Sequence, residues 1–215
     1  TATDTSGLIA SDSTTIVINT APVVSSVSIS PNSSVYNTTL LTCTASVIDP
    51  DELLSPSYEW QVGGVVLGTG TSFDLSAFNI VPLDIVVCTA VATDSQGLTA
   101  SGTDSVTVEN RAPSVDTLSI SPTLAYTDST INASATFSDL DQVQNLSETY
   151  TWHVISHLTG IDTIVQVSPV SSLNGTFFNR DDQVYVVASV SDGIDSGPLV
   201  TSNSITIANS PPEAA

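Results

Sequence analysis

An all-β fold built as tandem β-sandwich modules is predicted by three observations. The chain repeats itself at the scale of a small domain, its apolar residues alternate with polar ones over short runs, and Gly, Pro, Asn and Asp fall between those runs. The repetition is the most informative. Ala2-Thr3-Asp4-Thr5-Ser6-Gly7-Leu8-Ile9-Ala10-Ser11 returns as Ala92-Thr93-Asp94-Ser95-Gln96-Gly97-Leu98-Thr99-Ala100-Ser101. Ile16-Val17-Ile18-Asn19-Thr20-Ala21-Pro22 is answered by Val106-Thr107-Val108-Glu109-Asn110-Arg111-Ala112-Pro113, and again by Ile205 to Pro212. Ser28-Ile29-Ser30-Pro31 matches Ser119-Ile120-Ser121-Pro122.

These matches divide the chain. Residues 1–19 read as the last two strands of a preceding module, 20–110 as one complete module, 111–209 as a second, and 210–215 as a linker into another. Within 20–110, strands are expected at 24–30, 39–48, 57–62, near 65–68, and at 71–76, 84–93 and 103–109. Leu41, Cys43, Ala45 and Val47 share one face of the second of these, and Val86, Cys88, Ala90 and Ala92 one face of the sixth. Tyr58, Trp60 and Val62 share a face between them, and Gly63-Gly64 makes the turn that follows. In 111–209 the layout recurs, with Ile131, Ala133, Ala135 and Phe137 as a core face and Trp152 in the place of Trp60. Ala133 and Val186 stand where Cys43 and Cys88 do, so this copy has no cysteine pair. Extra residues around 156–179 predict longer loops or an added hairpin.

The 215 residues carry 22 acids against two bases, Arg111 and Arg180, with a net charge of −20. Such a field repels phosphate backbones and anionic lipid surfaces, which argues against nucleic-acid partners and membrane adsorption. The absence of lysine excludes Schiff-base and isopeptide chemistry. No apolar run approaches the roughly 18 residues that span a bilayer. An acidic, Ser/Thr-rich, lysine-free chain fits an oxidising, extracellular setting, where Cys43 and Cys88 on facing strands are expected to form a disulfide; two buried free thiols are the alternative.

The Asn-x-Ala-Pro linkers, the Ser-x-Ser-Pro strand starts, Tyr58-x-Trp60 with its flanking cysteines, and the Asp94-Ser95-Gln96-Gly97 hairpin carry a family resemblance. Together they resemble the tandem immunoglobulin-like (Ig-like) and PKD-like repeats of very large secreted or cell-surface proteins of bacteria and archaea. The Trp-Asp-Phe-Gly-Asp-Gly run of PKD domains is missing, since Gln61-Val62-Gly63-Gly64 follows Trp60. The resemblance implies tandem Ig-like sandwiches serving as stalks, adhesins, surface layers or spacers.

In such a sandwich the acidic loops gather where the linker enters. Asp49, Asp51 and Asp94 would meet Asn19 at one junction; Asp139, Asp141 and Asp192 would meet Glu109 and Asn110 at the next. Hard cations take six to eight oxygens from such groups, so Ca2+ at the junctions is one expectation. The other is that Asp and Asn simply form the turns there. Five Asn-x-Ser/Thr sequons, at Asn32, Asn37, Asn132, Asn145 and Asn174, are candidate glycosylation sites.

Catalysis is not indicated. His153 and His157 are the only histidines, and they would share a face if their strand ran that far; no nucleophile stands in a recognisable motif with either. The sequence therefore favours a non-catalytic segment of an extracellular stalk, fibre or surface protein. Its partners would be neighbouring modules of the same chain. Two alternatives remain: an adhesin or carbohydrate-binding module acting on surface glycans through residues 156–179, where Phe177 and Phe178 are the available aromatics, and a filament subunit whose identical chains complete one another's sheets.

Overall fold

The computed structural model describes residues 1–3, 5–13, 18–141 and 145–210. Repeat positions at Asp4, Ile16 and Val17, and the linker at 211–215, lie outside the described residues. The chain falls into two compact units, Thr1–Phe78 with Asp84–Thr107, and Asn79–Leu83 with Val108–Ala215. Each is described by itself.

In the first unit a short hairpin, β1 (Ala2–Thr3) and β2 (Ile9–Ala10), precedes β3 (Val23–Ser30), β4 (Leu40–Ile48), β5 (Ser57–Val62), β6 (Val65–Thr69), β7 (Ser72–Asp74), β8 (Ile85–Thr93) and β9 (Thr99–Thr107). The order β3-β4-β7 makes one sheet and β6-β5-β8-β9 the other, the two-sheet arrangement of an Ig-like sandwich. Alternation works as the sequence predicts. Leu41 and Cys43 of β4, and Val86, Cys88, Ala90 and Ala92 of β8, are buried, while Thr42, Thr44 and Ser46 face outward. Cys43 and Cys88 are disulfide-bonded across the two sheets. Trp60 is fully buried and stacks on Phe73 with centroids 5.4 Å apart, and Phe73 in turn stacks on Phe78 at 4.9 Å.

Two boundaries differ from expectation. The strand expected at 71–76 stops at Asp74, whose carboxylate accepts the Ser76 N–H and turns Leu75–Ala77 into a 3-10 helix that buries Leu75. The last strand begins at Thr99, four residues early, because the Asp94 loop is tight enough for pairing to resume at Thr93↔Thr99. The β1–β2 hairpin keeps that same register, Ala2↔Ala10 and Thr3↔Ile9 matching Ala92↔Ala100 and Thr93↔Thr99. Gly7 and Gly97 occupy the left-handed region at matching positions, with φ of 81° and 91°. The sequence repeat is thus also a repeat of backbone geometry.

The second unit contains β10 (Ser114–Ser121), β11 (Ala125–Tyr126), β12 (Ile131–Ser138), β13 (Ser147–Ile155), β14 (Asp162–Ser168), β15 (Ser172–Leu173), β16 (Gln183–Ser191), β17 (Val200–Thr201) and β18 (Ile205–Ala208). One sheet runs β10-β12-β15, the other β11-β18-β16-β13-β14, with β17 alongside β16. Ile131, Trp152, Leu173, Val184, Val186 and Ile207 lie fully buried in one apolar cluster, against which Ala133, Ala135 and Phe137 pack. Registers confirm the equivalences. Trp152 pairs with Val186 as Trp60 does with Cys88, and Ile120 pairs with Ala133 as Ile29 does with Cys43. The extra residues lengthen a hairpin that both units have, β13 turning back as β14 where β5 turns back as β6, through a longer turn at 156–161 and a longer second strand. Strand β13 ends at Ile155, so His157 is not on the face of His153; its N–H instead donates to Asp182 Oδ1 at 2.8 Å.

On the outer face of the β3–β4 pair, hydroxyl side chains stand opposite each other on successive rungs: Ser26↔Ser46, Ser28↔Thr44 and Ser30↔Thr42. The β10–β12 pair repeats this with Thr117↔Thr136 and Ser119↔Ser134, and Ser121 then faces the amide of Asn132. Ser28 and Thr44 hydroxyls lie 3.0 Å apart, and those of Thr117 and Thr136 2.7 Å.

Candidate functional site

The predicted site residues meet where each linker enters its sandwich. In the first unit the turn after β8 is built on Asp94, which is 4% exposed and accepts the N–H groups of Gln96 and Leu98 on Oδ1 at 2.9 and 2.8 Å. This is a side-chain-capped turn of the kind Asp forms readily. Its other oxygen faces the linker and accepts the side-chain amide of Asn19 at 2.8 Å. One residue on, the Thr20 N–H donates to Asp51 Oδ2 at 2.6 Å. Asp51 is held by Asp49, whose Oδ1 accepts the N–H groups of Asp51 and Glu52 at 2.8 and 3.2 Å. Glu52 closes the arrangement by accepting the Ser95 N–H at 2.7 Å. The loop after β4, the turn after β8 and the linker are therefore bonded into one latch.

The second unit rebuilds the latch with different parts. Asp192 Oδ1 accepts the N–H groups of Ile194 and Asp195, both at 2.7 Å, and Oδ2 accepts the amide of Asn110 at 2.8 Å. The same amide donates to Asp195 Oδ2 at 2.9 Å. The Arg111 N–H donates to Asp141 Oδ2 at 2.6 Å, as Thr20 does to Asp51. Here a side chain follows. Arg111 Nε and Nη2 both reach Asp141 Oδ1 at 2.7 Å, and Nη2 also donates to Leu140 O at 3.0 Å. The Asp141 side chain is fully buried and that of Arg111 is 23% exposed, so the pair is charge-assisted in a setting largely shielded from solvent. Asp139 Oδ1 supports the loop by accepting the Asp141 N–H at 2.7 Å. Gly197 lets the linker pass, because a Cβ there would stand 2.1 Å from Pro113 O.

Charge is shaped accordingly. Burial opposes ionisation of Asp94, yet the Asn19 amide and the backbone N–H groups of Leu98, Gln96 and Gly97 outweigh it and hold the carboxyl below its usual range. Asp192 is lowered in the same way: burial opposes, while Asn110 and its own turn amides prevail.

Eight of the nine predicted junction residues thus fall into two groups, Asn19, Asp49, Asp51 and Asp94, and Asn110, Asp139, Asp141 and Asp192. Glu109 is exposed and takes no part in the bonds described. Among the described residues no three Asp, Glu, His or Cys side chains converge as a metal site. The carboxylates meet N–H donors instead. Of the sequons, Asn32, Asn132, Asn145 and Asn174 are exposed and Asn37 is buried. Asn174 also caps the 3-10 turn Gly175–Phe177 by accepting the Thr176 N–H. Phe178 is buried in the core, while Phe177 is 38% exposed. No helix among the described residues is long and apolar enough to cross a membrane.

Sequence reasoning missed the part played by Arg111 and Asp195. Arg111 carried a signal, being one of two bases in the chain and directly following the linker asparagine.

No protein-family model matches the chain, and no curated protein matches it in sequence. Among solved structures it is similar to three N-terminal domains of the highly immunogenic outer capsid protein Hoc of bacteriophage RB49, at 14% identity and a TM-score of 0.40, over 89% of this chain and 71% of that one. It is similar to a two-domain fibronectin type III segment of chicken tenascin, at 12% identity and a TM-score of 0.38, over 84% and 97%. A Ca2+-stabilised adhesin with which an Antarctic bacterium binds ice is also similar, at 14% identity and a TM-score of 0.34, over 90% of this chain and half of that one.

Proposed function

We propose that the chain is a non-catalytic spacer in an extracellular stalk or fibre, made of Ig-like modules at 20–110 and 111–209, with 1–19 closing a preceding module. The observation that carries this reading is the latch found in both units. In each, the asparagine of the Asn-x-Ala-Pro linker donates to the turn aspartate, and the next N–H donates to the loop aspartate. A linker held at two successive residues to the sandwich it enters, with proline restricting its φ, has less freedom to hinge there and would pass tension along the chain. The remaining sequon asparagines that are exposed would carry glycans on such a stalk.

The test is backbone 15N relaxation of Thr20, Ala21, Arg111 and Ala112. The parent chain should show these amides as ordered as the strands, and Asn19→Ala with Asn110→Ala should loosen them on the nanosecond scale. Linker amides that are already loose in the parent chain would refute the spacer reading.

A calcium contribution is favoured at the first latch by one observation. Asp49 Oδ2 is buried without a hydrogen-bond partner, as Asp139 Oδ2 is in the second latch, but in the first Thr20 stands where the second has the cation of Arg111. The open oxygen there is Asp49 Oδ2, since both oxygens of Asp94 already accept N–H groups; Asp141 fits a metal poorly because its carboxylate is already taken by Arg111. Calcium should raise the melting midpoint of the first module alone. Equal midpoints in calcium and in EDTA would remove it.

A further inference from the structure

Outside the latches, three titratable side chains converge on the outer face of the second unit's larger sheet. His153 of β13 sits between Asp162 of β14 and Tyr185 of β16. The imidazole Nδ1 is 3.1 Å from Asp162 Oδ1 and 3.0 Å from the Tyr185 hydroxyl, which donates to Asp162 Oδ2 at 2.5 Å. The His153 and Tyr185 rings stack, with centroids 4.5 Å apart and planes 15° from parallel. The His153 side chain is 17% exposed and that of Asp162 43%. These are the only titratable groups facing the imidazole from β13, β14 and β16; the neighbouring outward positions are Thr151, Ile155, Ile164 and Val187.

We propose that His153, Asp162 and Tyr185 form a proton-operated brace that fastens β14 to its sheet more firmly when the imidazole is protonated. The chemistry follows from counting donors. Tyr185 has one proton and gives it to Asp162 Oδ2, so Asp162 Oδ1 needs a donor from Nδ1. A neutral imidazole carries its proton on either nitrogen, and the tautomer that leaves Nδ1 bare turns a lone pair toward the carboxylate. Taking up a proton from solvent ends that choice. Nδ1–H then donates to Asp162 as an ion pair, and the cation lies over the Tyr185 ring.

Asp162 remains available throughout. Its hydrogen bond from Tyr185, against a smaller effect of burial, holds the carboxyl below its ordinary range, while the phenol is pushed up to about 12, chiefly by the same bond. What the brace holds is an edge strand. β14 ends its sheet, and its hairpin displays Leu158, Ile161, Ile164, Val167 and Val170, each more than half exposed. The corresponding strand of the first unit, β6, has no such fastening: Gln61 and Val87 occupy the positions of His153 and Tyr185.

Amide hydrogen exchange of the full chain, expressed as protection factors so that intrinsic pH effects cancel, tests this directly. Protection of the Thr163–Val167 amides should rise roughly two- to fivefold between pH 8 and pH 5, the range an exposed ion pair supplies. β6 should show no such change. His153→Gln should abolish the rise and His157→Gln should leave it intact. Tyr185→Phe should reduce it by freeing one carboxylate oxygen. Protection at β14 that does not change with pH, or that rises equally in the His153→Gln chain, overturns the proposal. Should a variant lose its fold, the 15N shifts of the two histidine rings in the parent chain decide instead: a neutral His153 that already holds its proton wholly on Nδ1 would rule the switch out.

Discussion

In the first module the Cys43–Cys88 bridge joins the two sheets behind Trp60, whose indole N–H donates to Gly70 O at 2.8 Å. In the second, Ala133 and Val186 occupy those places, and Trp152 Nε1 is buried without an acceptor. The second module instead pairs β11 in parallel with β18 and ties its entry with the Arg111–Asp141 ion pair. Both nevertheless bury a tryptophan completely against the same strand neighbours. The alternating apolar face is therefore what makes the sandwich, and the cross-links are local additions to it. Neither the bridge nor the indole hydrogen bond is required for the fold.

The bridge supplies the largest expected contrast. Its cysteines are 45 positions apart, so removing it as Cys43→Ala with Cys88→Ala should cost the first module about 4 kcal/mol by loop entropy. The second module's melting transition should not move. Ala133→Cys with Val186→Cys would sharpen the comparison by raising the second transition under oxidising conditions and not under reducing ones. Calorimetry resolves both.

The latches should differ next. Arg111→Gln leaves a buried Asp141 carboxylate without its cation, and a loss of roughly 2 kcal/mol is expected, below the full range for buried pairs because the arginine is partly exposed. Adding Asp141→Asn should restore most of it in denaturant titrations. Thr20→Arg in the first module tests whether its latch gains from the same cation.

Trp60→Phe removes a satisfied indole and strands Gly70 O, whereas Trp152→Phe removes an N–H that has no partner. The first substitution should cost more than the second by about 1 kcal/mol. Equal losses would mean that the Gly70 bond contributes nothing.

The smallest effect is the one set by pH. Asp94 and Asp192 have folded-state carboxyls below their ordinary values. Their contribution is therefore complete above the unfolded pKa of about 4, and is lost as pH falls through the lower folded values. Asn19→Ala should shrink this acid sensitivity in the first module, and Asn110→Ala in the second. Midpoint-against-pH curves between pH 2 and 6 measure it.

Most of the fold was legible because it rests on period-two runs such as Leu41 to Val47 and Val86 to Ala92, which read the same in sequence and in space. Repeats bring equivalent loops to equivalent ends, which is why the sequence could group Asp49, Asp51 and Asp94 with Asn19, and Asp139, Asp141 and Asp192 with Asn110. It did not show what those acids face. A carboxylate suits a cation, a turn amide or a linker amide equally well, and only the fold reveals that Asp94 meets Asn19 and that Asp141 meets Arg111. The added length after Trp152 left longer loops and an added hairpin both open, because Ser156 to Asp162 resembles any turn-rich stretch; it lies in the turn and second strand of a hairpin that both units share. The brace was invisible for a related reason: Asp162 and Tyr185 lie 9 and 32 positions from His153, and β pairing alone brings them together.

The paired hydroxyls on β3–β4 and β10–β12 bear on how each sandwich responds to salt. Repulsion among the excess carboxylates keeps such chains apart in dilute buffer, but at molar salt the Debye length shrinks to about 3 Å and that protection fades. Hydroxyl groups carry no charge to screen. Ser28 with Thr44, and Thr117 with Thr136, bond to each other across neighbouring strands, and because those groups are neutral one flank of each sandwich keeps its polar pairing when salt screens the carboxylates.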